Sequence, residues 1–200
     1  MATVYQRSDL EDFVSHSLDD TEGMPWMVEP EFQRFIVEQL KSILTRYGRR
    51  NRTGWHVFAD LAVTKRRDNG TRVQLAPDVF VVHADERQRT SWSIDAEGRA
   101  PELVVEVVTE ESLDRDLDEK PRFYDWLGVR EYVIFSPRQA PGGPRLAGYH
   151  VDAVGVWTPW EVDSQVFLRS EVLGGLRLYV EDGAQLRVLD PAGNRLLSAD

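Results

Sequence analysis

Glu106 interrupts an apolar run. In Pro101–Ser112, PELVVEVVTEES, the residues Leu103-Val104-Val105 precede it and Val107-Val108 follow. A run so rich in valine reads as a strand covered on both faces. A carboxylate buried there costs several kcal/mol unless it is paired or holds a metal. Two other groups are placed to share its chemistry. Pro77-Asp78 heads a second apolar strand, Val79–Val82, and Lys120 lies in DLDEKPRFYDWLGV, on the helix that follows the Glu106 strand. Two carboxylates on adjacent strands can hold one Mg²⁺ or Mn²⁺, hard cations that prefer oxygen ligands. Such an ion lowers the pKa of a bound water and polarises a phosphoryl oxygen. A nearby ammonium orients the hydroxide or stabilises charge that develops on phosphate. Asp78, Glu106 and Lys120 around one metal therefore suggest metal-dependent phosphodiester hydrolysis. Alone, each is ordinary: Pro-Asp begins many turns, a Glu on an edge strand faces solvent, and a helix Lys is usually solvated. The combination carries the reading.

The elements that must position these groups are legible in outline. Pro30 precedes an amphipathic helix over Glu31–Tyr47, with Phe32, Phe35, Ile36, Leu40, Ile43 and Leu44 at helical spacing and Gly48 as its stop. Trp55–Thr64 reads as one strand. Asp68-Asn69-Gly70 is a hairpin turn into Thr71–Leu75. Arg87–Ala100 is polar and reads as a loop. Leu103–Val108 is a strand, Asp114–Leu127 a helix ended by Gly128, Glu131–Phe135 a strand, and Arg138–Pro144 a loop rich in Pro and Gly. Pro121 directly follows Lys120, which leaves open a helix that starts at Pro121 instead. Arg145–Val151, Val154–Val162, Leu176–Val180 and Ala184–Leu189 read as hairpin strands. This order gives an α/β fold with a mixed sheet. Residues 1–29 are acidic and irregular and read as an N-terminal extension. Residues 30–200 read as one domain, with a core over about 30–137 and C-terminal hairpin strands over 145–200.

Composition narrows the functions. The 200 residues, 42% hydrophobic and 29% charged, suffice for one domain with a sizeable core. With no cysteine, disulfides, zinc–thiolate sites, iron–sulfur clusters and thiol nucleophiles are excluded. The same fact fits a reducing compartment. The N-terminal stretch MATVYQRSDLEDF has no basic region followed by an apolar core, and no run approaches the roughly 20 apolar residues of a membrane helix. A cytoplasmic protein without membrane association is expected. The net charge of −10 argues against a tight, free-standing nucleic-acid binder. Positive charge is nonetheless concentrated in Arg46–Arg72. His16, His56, His83 and His150 have no ligand spacing, His83 being the best placed because it ends the Asp78 strand. Ser112 and Ser136 lack a nucleophile elbow, and the Gly pairs lack phosphate-loop spacing.

The run PDVFVV followed by PELVVEVVTEESLDRDLDEKPRFYDWLGVREYVIFSP resembles the Uma-two family of bacterial restriction-endonuclease-like proteins. That pattern has PDV, then P-D-L-V-V-E-V-L-S, then D-x-x-x-K-x-x-x-Y-x-x-x-G-V-x-E-Y. The match spans roughly Glu31 to Pro137, and the tail GLRLYVEDGAQLRVLDPAGNRLLS is similar to family tails. The resemblance implies a restriction endonuclease-like core of the PD-(D/E)XK type, a central mixed four-stranded sheet flanked by helices. It also implies that Asp78 and Glu106 are the metal ligands. The superfamily's usual Lys position is Val108 here, which points to Lys120 on the next helix instead. Asp116 and Tyr124, four residues to either side, share its face on a continuous helix. Gln33, where the family has His-Gln and this chain Phe32-Gln33, and Glu38 are candidates to line the site from the first helix. Glu102 and Thr109 stand where the family tends to Asp and Ser. The implied activity is Mg²⁺- or Mn²⁺-dependent cleavage of DNA. A homodimer would bring two sites to two strands. The alternative is a non-catalytic interaction module on the same fold that binds a protein partner through its acidic surface.

Overall fold

The computed structural model describes residues 31–108, 113–137, 145–160, 167–182 and 185–198. The expected N-terminal extension and the loop over residues 138–144 lie outside the described residues. The first helix, α1 (Glu31–Asn51), is followed by β1 (Trp55–Ala59), β2 (Val63–Arg66), β3 (Arg72–Leu75) and β4 (Val79–His83). Next come β5 (Trp92–Ser93), a one-turn α2 (Ile94–Glu97), β6 (Leu103–Val107), α3 (Leu113–Leu127) and β7 (Glu131–Phe135). Then follow β8 (Leu146–Val151), β9 (Trp157–Pro159), β10 (Phe167–Ser170), β11 (Leu176–Glu181) and β12 (Gln185–Leu189).

The central sheet has six strands in the order β1-β4-β6-β7-β8-β9, two more than the four expected. The pair β6–β7 is parallel and is joined through α3, while its other pairings are antiparallel. A parallel pair needs such a crossover, and helices over both faces then bury its strands. All five residues of β6 and of β7 are buried. Val79, Val81, Leu103, Val105 and Val133 face α1 and the sheet β10-β11-β12. Phe80, Val82, Val104, Tyr132 and Ile134 face α3 and the small sheet β3-β2-β5. Alternation along each strand thus builds two cores, one on each side of the sheet.

Several elements differ from the sequence expectation, each for a physical reason. The first helix runs through Gly48, which is buried because the Trp55 ring lies on it: a Cβ there would come within 2.0 Å of Trp55 Nε1. That Nε1 donates to the Leu44 carbonyl at 3.3 Å. The helix ends instead at Arg52, with φ of 51°, where Thr53 N–H reaches the Gly48 carbonyl and Arg52 N–H that of Arg49. This is the Schellman pattern. The expected strand over Trp55–Thr64 is two strands. It breaks at Asp60, whose φ is 52°, so that β1 enters the central sheet and β2 leaves it. The expected loop over Arg87–Ala100 contains β5 and α2, because Trp92 is fully buried and pairs in parallel with Val63 of β2. The hairpin turn before β3 forms as expected.

Candidate active site

Asp78 sits at the mouth of β4, and Glu106 lies near the end of β6. The antiparallel register pairs Val79 with Val105, Phe80 with Val104 and Val81 with Leu103. One further step along this register brings the Asp78 carboxyl near Glu106 at the ends of the two strands. The Val107 N–H donates to Asp78 Oδ2 at 2.6 Å, and the Gln33 amide of α1 lies 3.4 Å from both carboxyl oxygens. Glu106 is 3% exposed. Its Oε1 accepts the Tyr124 hydroxyl and lies 3.2 Å from Lys120 Nζ. Lys120 also stands 2.5 Å from Asp116 Oδ1, one helical turn earlier on α3. Asp116 is buried, and that contact is an ion pair outside hydrogen-bonding geometry. Its Oδ2 accepts no hydrogen bond from any described residue.

Helix α3 runs unbroken from Leu113 to Leu127 with Pro121 inside it. A start at Pro121 is thereby ruled out. Asp116, Lys120 and Tyr124 share one face and meet Glu106 there. The structure brings together Asp78, Glu106, Lys120, Asp116, Tyr124 and Gln33. Glu38 does not join them: it is exposed and pairs with Arg34 at 3.2 Å. Two arginines of the Arg-rich segment are also remote. Arg49 and Arg50 occupy the last turn of α1, about 24 Å along the axis from Gln33 at 1.5 Å per residue. His83 holds its neighbours together, its Nδ1 lying 2.8 Å from the Glu102 carboxylate and its Nε2 3.1 Å from the Thr53 carbonyl. His150 stacks on Trp160, and His56 on Phe58. His16 and Ser112 lie outside the described residues. Tyr132 and Tyr149, absent from the sequence reading, bound the site from β7 and β8. Tyr132 is fully buried, with its ring centroid 4.8 Å from that of Tyr124.

The electrostatics follow from this crowding. Burial, with the Glu106 charge opposite, pushes the Asp78 carboxyl up to about 8. Burial alone would lower Lys120, but the Glu106 and Asp116 carboxylates outweigh it and hold the ammonium well above its usual range. Burial, then the Glu106 charge, raises the Tyr124 phenol, which stays a hydrogen-bond donor. Three carboxyl groups therefore share one ammonium. Among the described residues no three His, Cys, Asp or Glu side chains converge on a metal position. Two carboxylates nevertheless suit Mg²⁺, which keeps several waters and is often held by one or two such groups.

The sequence model of the Uma2 family, described as "Putative restriction endonuclease", matches residues 14–181. The chain belongs to this family. No curated protein matches it. Among solved structures it is similar to one described as "a putative nuclease belonging to DUF820 from Anabaena variabilis ATCC 29413". The likeness has a TM-score of 0.55 at 14% identity and covers 78% of this chain and 82% of that one. At that identity the likeness establishes the fold, which is restriction endonuclease-like. Among the described residues no helix is long and apolar enough to cross a membrane.

Proposed function

We propose that this Uma2 protein is a divalent-metal-dependent endonuclease that hydrolyses DNA phosphodiester bonds. The observation that carries the reading is the half-buried Asp78 beside the buried Glu106 at the ends of β4 and β6, with Lys120 3.2 Å from Glu106. Asp78 and Glu106 would hold Mg²⁺ or Mn²⁺. The ion would supply an acidified water and polarise the scissile phosphate.

The protein's own groups have separable roles. Lys120 is pinned as an ammonium between Glu106 and Asp116, so it acts as a fixed positive charge and hydrogen-bond donor toward phosphate, not as a base. Its side chain keeps 21% of its surface exposed, enough to meet a substrate at the strand ends. Tyr124 holds Glu106 Oε1 and fixes that carboxylate's orientation. Gln33 and the Val107 N–H hold Asp78. The DNA approaches the ends of β4 and β6, flanked by the first turns of α1.

The test is nicking and linearisation of plasmid DNA with Mg²⁺ or Mn²⁺, wild type against Asp78→Ala and Glu106→Ala, with circular dichroism to verify folding. Cleavage by wild type that both substitutions abolish is the expected result. No cleavage across metals and salt concentrations would refute the reading and favour an interaction module on this fold.

A further inference from the structure

Lys120 is followed by Pro121 in the interior of α3. Proline has no N–H, and its ring crowds the carbonyl four residues back, at a cost of about 3 kcal/mol in a helix interior. The carbonyl deprived of its helical partner is that of Leu117. Tyr149, from β8, donates its hydroxyl to this oxygen at 3.3 Å. One residue earlier, the Asp116 carbonyl accepts the Tyr132 hydroxyl at 3.1 Å. The rings form a row, with centroids 4.8 Å apart for Tyr124 and Tyr132 and 6.5 Å apart for Tyr132 and Tyr149. Each hydroxyl in the row has a different acceptor: Glu106, the Asp116 carbonyl and the Leu117 carbonyl in turn.

We propose that Tyr132 and Tyr149 are positioning residues for Lys120. Tyr149 supplies from the sheet the hydrogen bond that Pro121 takes from the helix, Tyr132 adds a second bond to the preceding carbonyl, and the two fix the turn that carries Asp116 and Lys120 against Glu106. An apolar ring of the same size would fill the space without holding the turn, so the hydroxyl is the working part. The inference rests on the reading that Lys120 serves phosphodiester cleavage.

The experiment is a double-mutant cycle of Tyr149→Phe with Pro121→Ala. Alanine restores an N–H that can reach the Leu117 carbonyl, which makes the Tyr149 hydroxyl redundant. In the Pro121 chain, Tyr149→Phe is expected to lower kcat about tenfold with KM for DNA little changed, since small misplacements of a catalytic group have large effects. In the Pro121→Ala background the same substitution is expected to change kcat by less than about twofold, the two sites being coupled. An equal loss in both backgrounds, or no loss in either, overturns the proposal. The ¹⁵N signal of the Lys120 ammonium is followed in the same four proteins. It should shift on Tyr149→Phe only where Pro121 is present, and a signal unmoved by the hydroxyl overturns the proposal. Absence of cleavage by wild type refutes the nuclease reading alone, because the ammonium signal still reports whether the hydroxyl positions Lys120.

Discussion

Asp78 lies beside Glu106 at the ends of two antiparallel strands, close enough for the Glu106 charge to oppose ionisation of Asp78. Burial and the neighbouring carboxylate raise Asp78 from 3.8 to about 8. The folded chain therefore binds this proton more tightly than the unfolded chain does. By linkage, the stability this gives is complete below about 3.8 and is lost as pH rises through about 8. In metal-free buffer, urea midpoints should fall between these limits, and Asp78→Asn should flatten the fall. Cation affinity should rise about tenfold per pH unit below about 8, because binding displaces one proton. Calorimetric titration with Mn²⁺ at several pH values checks this, and a pH-independent affinity would count against a protonated Asp78.

Lys120→Met should lower kcat about 100-fold while leaving KM for DNA nearly unchanged, because its charge matters most where negative charge develops. The substitution also leaves Glu106 and Asp116 facing each other without a cation. Steady-state cleavage together with thermal unfolding separates the two effects. If activity were retained, Lys120 would have no role in the reaction.

Gly48→Ala should destabilise the protein by about 1–3 kcal/mol, the usual range for overpacking a core, although alanine is the better helix former. The added methyl would meet the indole of Trp55, so Trp55 must give way and its bond to Leu44 with it. Urea unfolding followed by tryptophan fluorescence reads both changes. A stabilised variant would mean that Gly48 serves only as a weak point in the helix.

Glu131 is the counterpart of Glu106 one strand away. Its Oε1 accepts the N–H groups of Glu171 at 2.7 Å and Val172 at 3.2 Å, and its Oε2 accepts the Ser170 hydroxyl. It ties β7 to the turn that follows β10. Glu131→Ala leaves these donors without their acceptor, at about 1–3 kcal/mol for the buried Ser170 hydroxyl and less for the two partly exposed N–H groups. Hydrogen exchange should then accelerate at Leu168 and Leu178 before it does in β6. Uniform acceleration would refute a local clamp.

The buried strands were legible because β6 and β7 announce themselves as apolar runs, and Glu106 because it interrupts one of them, whereas Asp78 and Lys120 stand out only in combination with it. The argument that singled out Glu106 applies equally to Glu131 at the head of EYVIF, where backbone N–H groups satisfy the carboxylate. Sequence pattern does not say which partner a buried carboxylate finds. Gly48 misled because a glycine that ends a helix and one that admits an indole look alike in one dimension. Asp60 turns the chain through a positive φ, which no periodicity reveals. Tyr132 and Tyr149 went unnoticed because their acceptors lie 16 and 32 residues away, and both acceptors are main-chain carbonyls that any residue could present.

From Leu103 to Phe135 the chain passes through β6, α3 and β7, and this stretch alone carries Glu106, Asp116, Lys120, Tyr124 and Tyr132. If this unit, with β6 and β7 wholly buried, serves as the folding nucleus, Asp78 joins it later on β4, and β10–β12 pack last. Val104→Ala should accordingly slow refolding, whereas Leu178→Ala should mainly speed unfolding. Equal partition of both substitutions between the two rates would remove this order of events. The half-site that holds the ammonium would then be in place before the second carboxylate reaches it, so that the charge that tempers Glu106 precedes the charge that opposes it.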